Sequence, residues 1–327
     1  ITKYYRRYIK TYSLTFFTNY YYLCFNNPHV VLLLLIARLP ACVQFQHLPS
    51  QDRESSGPDS RDIKMYECSK GSFHCRTKVG ASGSEVPRIK LSNGAEMPAI
   101  ALGAYLGFDQ NGIIRPREHN LRDVIVRAID VGYRHFDTAS IYETEAEVGQ
   151  AVRLKIAEGA VHRHDIFITT KLWNTQHRRD QVVSSLKESL KKMGLSYVDL
   201  YLMHWPIGLN EDYSYSDADY METWRGLEDA QWLGLTRSIG VSNFNQDQLQ
   251  RVIVEGSIKP VALQIEQELV DFAQRQGIVV MGYSPFGSLV KRFGVKLPGP
   301  QIDDSTLVEI AKKFNKTTPQ VVLRWLV

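Results

Sequence analysis

The clearest indication of the fold of this 327-residue chain is in residues 166–203, IFITTKLWNTQHRRDQVVSSLKESLKKMGLSYVDLYLM. Two short apolar runs, 166–171 and Val198–Met203, flank a segment whose apolar residues recur at helical spacing. Asp180 is a candidate N-cap for that helix, and Gly194 is a candidate residue to end it. Both runs are continuous rather than alternating, as strands covered on both faces of a parallel sheet require. The stretch therefore predicts one strand–helix–strand unit.

The same alternation continues on both sides of this unit, from residue 86 onward. Further strand-like runs lie at Ile100–Gly103, 133–137, 238–242, 261–265 and 278–283. Seven repeated strand–helix units favour a (β/α)8 TIM barrel of the α/β class. A doubly wound parallel sheet is the alternative, and it is disfavoured because no GxGxxG segment follows any of these strands.

Composition and charge narrow the possible functions. With 44% apolar and 23% charged residues, the chain is neither collagen-like, nor wholly disordered, nor a multi-span membrane protein. Residues 1–64 hold eight basic and four acidic residues and so account for the whole net charge of +4. Because the remainder is neutral, no basic patch is implied and no nucleic-acid partner is predicted.

Residues 1–64 are predicted to be a disordered leader outside the barrel. They are interpreted as upstream sequence or as a degraded signal region. The apolar run 30–37 is too short to span a bilayer, although residues 25–43 fit the core of a signal peptide. A linker is predicted over 65–85 and an incomplete barrel over 86–327.

The four cysteines all lie before residue 76, at Cys24, Cys42, Cys68 and Cys75. The predicted barrel therefore contains neither disulfides nor thiolate metal sites, which favours the cytoplasm. A genuine signal peptide at 25–43 would instead make the protein secreted. His74 lies beside two of the cysteines, but no fourth ligand stands at a usual spacing, so no metal site is predicted.

Polar or ionisable side chains stand where the apolar runs end, which is where barrels carry their chemistry. They are Asp137, Lys171, His204, Ser242, Asn243, Gln264 and Tyr283, with Tyr142 in the loop after the second predicted strand. Taken singly, each has an ordinary structural interpretation. Asp137 could cap a helix or form a salt bridge, Lys171 could be solvated at a strand end, and His204 could be a hydrogen-bonded histidine of the core. Lys171 has a second alternative, as the Schiff-base lysine of a barrel aldolase.

Five blocks of the sequence resemble the aldo-keto reductase family. GYRHFDTASIY (132–142), followed by Glu145 and Gly149, is similar to the family signature. ITTKLW (168–173), LMHWP (202–206), IGVSNF (239–244) and GYSPFGS (282–288) are similar to later blocks, in family order. The resemblance covers 86–327 and is strongest to the aldose reductase and hydroxysteroid dehydrogenase branch. GLNEDYSYSD (208–217) is similar to insect members, dehydroecdysteroid reductases included.

The resemblance implies reduction of aldehydes and ketones to alcohols by hydride transfer from a nicotinamide. Tyr142 would be the general acid, since a neighbouring ammonium lowers the ordinary tyrosine pKa of about 10. Lys171 would supply that ammonium, and Asp137 would hold it by an ion pair. His204 would donate a hydrogen bond to the carbonyl oxygen. The alternatives are a non-catalytic structural or regulatory relative, an inactive fragment, or a Schiff-base aldolase.

NADPH/NADP+ is the cofactor that the resemblance implies. Ser242, Asn243 and Gln264 would bind the nicotinamide carboxamide, Tyr283 would stack on its ring, and Phe286 and Ser288 would belong to the pyrophosphate loop.

Tyr105, Trp173 and Trp205 would line an apolar substrate pocket. The expected partner is a small carbonyl compound (an aldehyde, ketone, sugar or steroid), bound by a monomer without a membrane span.

Two departures from the family pattern lead to further expectations. The sixth strand, LQIE (263–266), runs at once into a helical segment, although such loops take about two to six residues. We expect this to disturb the position of Gln264. The chain also ends within a helix beginning near Thr318, before the family's eighth strand and its Lys-Ser…Arg block for the 2′-phosphate. We therefore expect a C-terminally truncated barrel of seven strands with two open edges.

Overall fold

A ring of parallel strands forms the centre of the protein, as described by a computed structural model. The structure describes residues 30–35, 86–107, 120–265, 269–286 and 301–326, all within one compact unit of the chain. The predicted linker over 65–85, the rest of the leader and Ser288 lie outside the described residues.

The described strands alternate with helices from residue 100 onward. The strands are β1 (Val30–Leu35), β2 (Arg88–Lys90), β3 (Glu96–Pro98), β4 (Ile100–Gly103), β5 (His135–Asp137), β6 (Phe167–Leu172), β7 (Val198–Met203), β8 (Thr236–Ser242), β9 (Ala262–Ile265) and β10 (Val279–Gly282). The helices are α1 (Leu121–Asp130), α2 (Glu145–Ala157), α3 (Arg179–Met193), α4 (Tyr220–Trp232), α5 (Gln246–Glu255), α6 (Val270–Arg275), α7 (Ser305–Lys313) and α8 (Thr318–Leu326).

Seven parallel strands, β4 to β10, follow one another around the ring in chain order. Their register brings the carboxyl ends to one face: Gly103 lies opposite Asp137, and Ser242 lies opposite Gln264. The predicted α/β class and (β/α) barrel with seven strands are confirmed. The common face of the strand ends is where the candidate side chains meet.

The eighth position of the ring is filled by β1. It pairs in parallel with both β10 and β4, so that Leu32 lies opposite Gly282 on one side and Ile100 on the other. The expectation that 1–64 lies wholly outside the barrel does not hold for these six residues. The expected open edges of β4 and β10 are paired as well. Sheet edges carry unpaired backbone groups, and an extended apolar run can satisfy them.

Helix α3 illustrates how local sequence sets the outer layer. Its apolar side chains at helical spacing are buried, namely Val182, Leu186, Leu190 and Met193. Gly194 ends the helix in the left-handed conformation, with φ 64°, as the sequence predicts. Asp180 is not the N-cap: Arg178 holds that position, and Asp180 lies in the first turn, where its charge favours the helix dipole.

A charged cluster lies toward the amino ends of the strands, away from the candidate site. Asp199 is buried within β7 and accepts hydrogen bonds from Arg163 Nη2 at 2.8 Å and from the backbone N–H of Ile168 at 2.9 Å. The guanidinium groups of Arg163 and Arg237 stack on Tyr197, 4.0 and 4.2 Å from its ring centroid. These contacts stabilise the barrel at the end opposite the candidate chemistry.

Within the described ranges, no helix combines the length and the apolar character needed to cross a bilayer.

Candidate active site

Lys171 lies at the centre of a hydrogen-bonded group at the carboxyl ends of β5 and β6. Its Nζ donates to Asp137 Oδ1 at 2.5 Å, to the Thr138 carbonyl at 3.0 Å and to the Tyr142 hydroxyl at 3.2 Å. An ammonium carries three hydrogens, so these contacts use its whole donor capacity. Tyr142 reaches this group from the short 3-10 turn Ser140–Tyr142, whose Ser140 hydroxyl donates to the Lys171 carbonyl.

The Asp137–Lys171 pair is almost completely removed from solvent, with side-chain exposures of 5% and 0%. Burial lowers the pKa of Lys171 and raises the pKa of Asp137, while the attraction between the two charges opposes both shifts. Gln264 Nε2 donates to the second Asp137 oxygen at 3.0 Å. The pair is thus held rigidly rather than left to exchange with water.

His204, directly after β7, completes the group of four. Its ring meets that of Tyr142 edge-on, at 79° and a centroid distance of 5.7 Å. Burial above all, and then the nearby charges of Lys171 and His177, hold the pKa of His204 well below its ordinary value of 6.5. The imidazole is therefore neutral at pH 7 and carries a single N–H to donate.

Asn243 connects the four residues to the next strands. Its Nδ2 donates to the His204 carbonyl at 2.9 Å and to Ser242 Oγ at 3.1 Å. Its Oδ1 accepts from the Tyr283 hydroxyl at 3.0 Å, and its backbone N–H donates to the Gln264 carbonyl at 3.0 Å. Asn243 has φ 60°, in the left-handed region that asparagine tolerates better than most residues. The expected disturbance of Gln264 is not observed, because its side chain is buried in this network.

Aromatic side chains contact Tyr142 and His204. The ring of Tyr105 lies 5.0 Å from that of Tyr142, and the ring of Trp173 lies 5.3 Å from that of His204. Trp205 is half-buried and adjoins His204 in the chain. Phe286 is also half-buried, in a turn beyond β10, whereas Ser288 lies outside the described residues.

Several buried polar residues near the site were not among the sequence candidates. Thr138 contributes its carbonyl to Lys171, and Thr170 donates to Glu145 Oε1 at 2.7 Å. Glu145 is 1% exposed, although it begins helix α2. His177 is 2% exposed in a loop whose sequence is polar throughout. Thr138 and Thr170 lie within family-like blocks of the sequence and Glu145 follows the first of them, whereas His177 lies outside all five blocks.

Comparison with known proteins identifies the family. The Aldo/keto reductase family model matches residues 99–327. The aldo-keto reductase AKR2E4 of Bombyx mori is 46% identical over 250 residues, which cover 74% of this chain and 80% of the relative. An NAD(P)H-dependent D-xylose reductase of Pachysolen tannophilus is 38% identical over 264 residues, covering 72% and 80%.

Solved structures agree with the sequence matches. The crystal structure of Bombyx mori AKR2E4 in complex with NADP matches with a TM-score of 0.68 at 47% identity, covering 73% of this chain and 80% of that one. The structure of AKR2E5 complexed with NADPH matches with a TM-score of 0.67 at 43% identity, covering 73% and 75%. The chain belongs to the aldo/keto reductase family.

Proposed function

We propose that this protein is an NADP(H)-dependent carbonyl oxidoreductase that reduces aldehydes and ketones to alcohols. The contact that carries the proposal is the 3.2 Å hydrogen bond from the buried Lys171 ammonium to the Tyr142 hydroxyl. Family membership and the NADP complex of the Bombyx mori relative support the choice of cofactor.

Tyr142 is the proton donor in this proposal. As the carbonyl oxygen gains electrons, the Tyr142 hydroxyl transfers its proton to that oxygen, and the Lys171 ammonium stabilises the phenolate that remains. Asp137 keeps Lys171 in place. The neutral His204 donates its N–H to the same carbonyl oxygen and so helps to orient the substrate. In the reverse direction, the Tyr142 phenolate takes the proton from the alcohol.

The residues at the ends of β8, β9 and β10 suit a nicotinamide carboxamide, which has one acceptor oxygen and a donor NH2. The Ser242 hydroxyl can donate to that oxygen. Asn243 Oδ1 and Gln264 Oε1 can accept from the amide, because Gln264 uses only its nitrogen on Asp137. Tyr283 is proposed to stack on the nicotinamide ring, and Phe286, in the turn beyond β10, is proposed to belong to the pyrophosphate loop. When bound, the reduced nicotinamide supplies hydride to the carbonyl carbon.

The substrate is proposed to be a small carbonyl compound with an apolar part, since Tyr105, Trp173 and Trp205 are all aromatic. Sugars and steroids are both reasonable members of a test panel. The monomeric state, the cytoplasmic location and the lack of a nucleic-acid partner stay predictions from the sequence.

A Schiff-base aldolase is disfavoured by the contacts of Lys171. A nucleophilic amine needs a free lone pair and access to substrate. The Lys171 nitrogen is fully buried and donates to three acceptors. The same pre-oriented contacts give no reason to prefer a non-catalytic relative.

The deciding experiment is NADPH oxidation with a panel of aldehydes and ketones, comparing the wild type with Tyr142→Phe. We expect kcat to fall by about 10²- to 10⁴-fold, the usual contribution of a general acid, with unchanged NADPH affinity. Tyr197→Phe is the matched control, because Tyr197 lies in the charged cluster at the other end of the barrel. Equal activity of Tyr142→Phe and wild type would refute the assignment.

A further inference from the structure

Five buried polar atoms beside the candidate active site have no hydrogen-bond partner among the described residues. They are Trp173 Nε1, Asn174 Oδ1, His177 Nδ1 and Nε2, and His204 Nδ1. We call these four residues the polar cluster. Asn174, His177 and His204 are 6%, 2% and 8% exposed, so bulk solvent does not satisfy them.

Three members of the polar cluster belong to the segment after β6, and one of them contacts the fourth, His204. Trp173, Asn174 and His177 lie within the five residues after β6, and the Trp173 ring meets the His204 ring at 76° and 5.3 Å. A charge on His177 would lower the pKa of His204, after the larger effects of burial and of Lys171. The loop itself is fixed, because the Thr223 hydroxyl donates to the His177 carbonyl at 2.6 Å and the Leu209 N–H to the Asn174 carbonyl at 2.8 Å.

Four of the five unpaired atoms match the hydrogen-bonding capacity of one water molecule, which accepts two hydrogen bonds and donates two, and this count includes one of the two His177 nitrogens. A buried polar group without a partner costs about 1–3 kcal/mol, and native proteins usually satisfy such groups with ordered water. Burial lowers the pKa of His177 to about 4, so at pH 7 its ring offers one donor and one acceptor. Trp173 Nε1 adds a donor and Asn174 Oδ1 an acceptor. A water that accepts from two of these groups can donate to Asn174 and to His204 Nδ1.

We propose that the polar cluster binds an ordered water, and that His177 acts through it as a positioning residue that sets the tautomer of His204. A water held by His177 donates to His204 Nδ1, which therefore carries no hydrogen, and the single hydrogen stays on Nε2. The importance of this tautomer for catalysis rests on the proposed function, in which His204 donates to the carbonyl oxygen. The water site itself does not depend on that function.

The test is ¹⁵N NMR of the histidine rings in the full chain at pH 7, with His204 assigned by comparison with His204→Gln. In the wild type we expect a pyridine-like Nδ1 and a pyrrole-like Nε2 for His204. His177→Phe keeps the ring but removes both nitrogens, and should convert His204 to a mixture of tautomers. We also expect kcat to fall by about 10- to 100-fold, as when outer partners of functional imidazoles are removed elsewhere, with KM for NADPH unchanged.

Two further variants separate positioning from simple packing. His177→Gln retains a donor and an acceptor, so it should restore the wild-type spectrum and most of kcat. His164→Phe changes a histidine whose side chain is 70% exposed and should alter neither. If His177→Phe does not fold, Asn174→Leu removes another member of the polar cluster and should produce the same mixture of tautomers.

The proposal is overturned if His204 carries its hydrogen on Nδ1 in the wild type, or if His177→Phe leaves both the tautomer and kcat unchanged. The results that would refute the proposed function are different from these. In that case no variant, nor the wild type, would reduce carbonyls, yet the His204 tautomer would still depend on His177.

Discussion

The Lys171 ammonium lies 2.5 Å from the Asp137 carboxylate, and at most 5% of either side chain is exposed. Each member also has partners outside the pair: Gln264 donates to Asp137, and Lys171 donates to Thr138 and Tyr142. Burial of two charges is tolerated only when their remaining hydrogen bonds are made in this way. The pair therefore has consequences for stability that can be separated from those for activity.

Lys171→Met is expected to lower both the stability of the protein and its activity. It leaves the Asp137 carboxylate buried without its partner, so the free energy of unfolding should drop by about 3–5 kcal/mol. The double variant Lys171→Met with Asp137→Leu removes both charges and should recover much of that loss. Urea unfolding measures the stability, and NADPH oxidation measures activity, which should be absent from both variants. A double variant that reduces carbonyls would contradict the role given to Lys171.

Substitution of Asn243 separates its hydrogen bonds from its backbone conformation. Asn243→Gly removes three side-chain contacts but suits φ 60°, whereas Asn243→Ala removes the same contacts and adds strain. We expect alanine to be less stable than glycine by about 1–2 kcal/mol, the strain of a left-handed residue. Both variants should bind NADPH more weakly in fluorescence titration. Wild-type affinity in both would remove Asn243 from the proposed cofactor site.

His135 should make the protein less stable in mild acid. Burial lowers its pKa to about 3, and the hydrogen bond with the Pro98 carbonyl offsets only part of this shift. In the unfolded chain, His135 is protonated as the pH falls below about 6.5. In the folded protein it is protonated only near pH 3. The stability is complete above pH 6.5 and declines as the pH falls toward 3, by about 1.4 kcal/mol per pH unit.

The measurement for His135 is the urea midpoint between pH 6 and pH 4 in wild type and His135→Gln. Glutamine at this position cannot take up the proton. The free energy of unfolding of the variant should therefore fall with decreasing pH by about 1.4 kcal/mol per pH unit less than that of the wild type, whatever its value at pH 7. His164→Gln serves as the exposed control. Identical slopes for wild type and His135→Gln would show that His135 titrates normally in the fold.

Gly149 is required by the close approach of helices α2 and α3. A Cβ at this position would overlap the backbone carbonyl of Met193, which also accepts a hydrogen bond from Arg153. Neither backbone can yield easily, so Gly149→Ala should cost about 3 kcal/mol of unfolding free energy. Gly159→Ala faces open space at φ 71° and should cost about 1 kcal/mol. Thermal melts of the two variants measure these losses of stability. Equal losses for Gly149→Ala and Gly159→Ala would mean that helices α2 and α3 can move apart.

The sequence predicted the site best where the signal was local. Asp137, Lys171 and His204 each end an apolar run, and parallel strands bring such ends together at one face of a barrel. The structure brings these three residues together with Tyr142. Asp199 was not among the sequence candidates, although a lone carboxylate inside a buried strand requires a partner, which in the structure is Arg163.

Features set by distant contacts could not be predicted from the sequence. The apolar run Val30–Leu35 fits a signal peptide as well as a strand, and only pairing with β4 and β10 distinguishes them. His177 stands in a polar segment that predicts an exposed loop. It is buried because residues after β7, Gly208 among them, pack against it. No local periodicity encodes either contact.

The Asp137–Gln264 hydrogen bond joins residues 127 positions apart. A ribosome adding about 5–20 residues per second needs roughly 6–25 s to deliver Gln264 after Asp137. Once Lys171 has been added, the nascent chain holds Asp137, Tyr142 and Lys171 but still lacks the Gln264 amide that donates to the second Asp137 oxygen. The candidate active site is therefore completed late in synthesis. A chaperone or protease that acts on the nascent chain before then encounters an incomplete barrel.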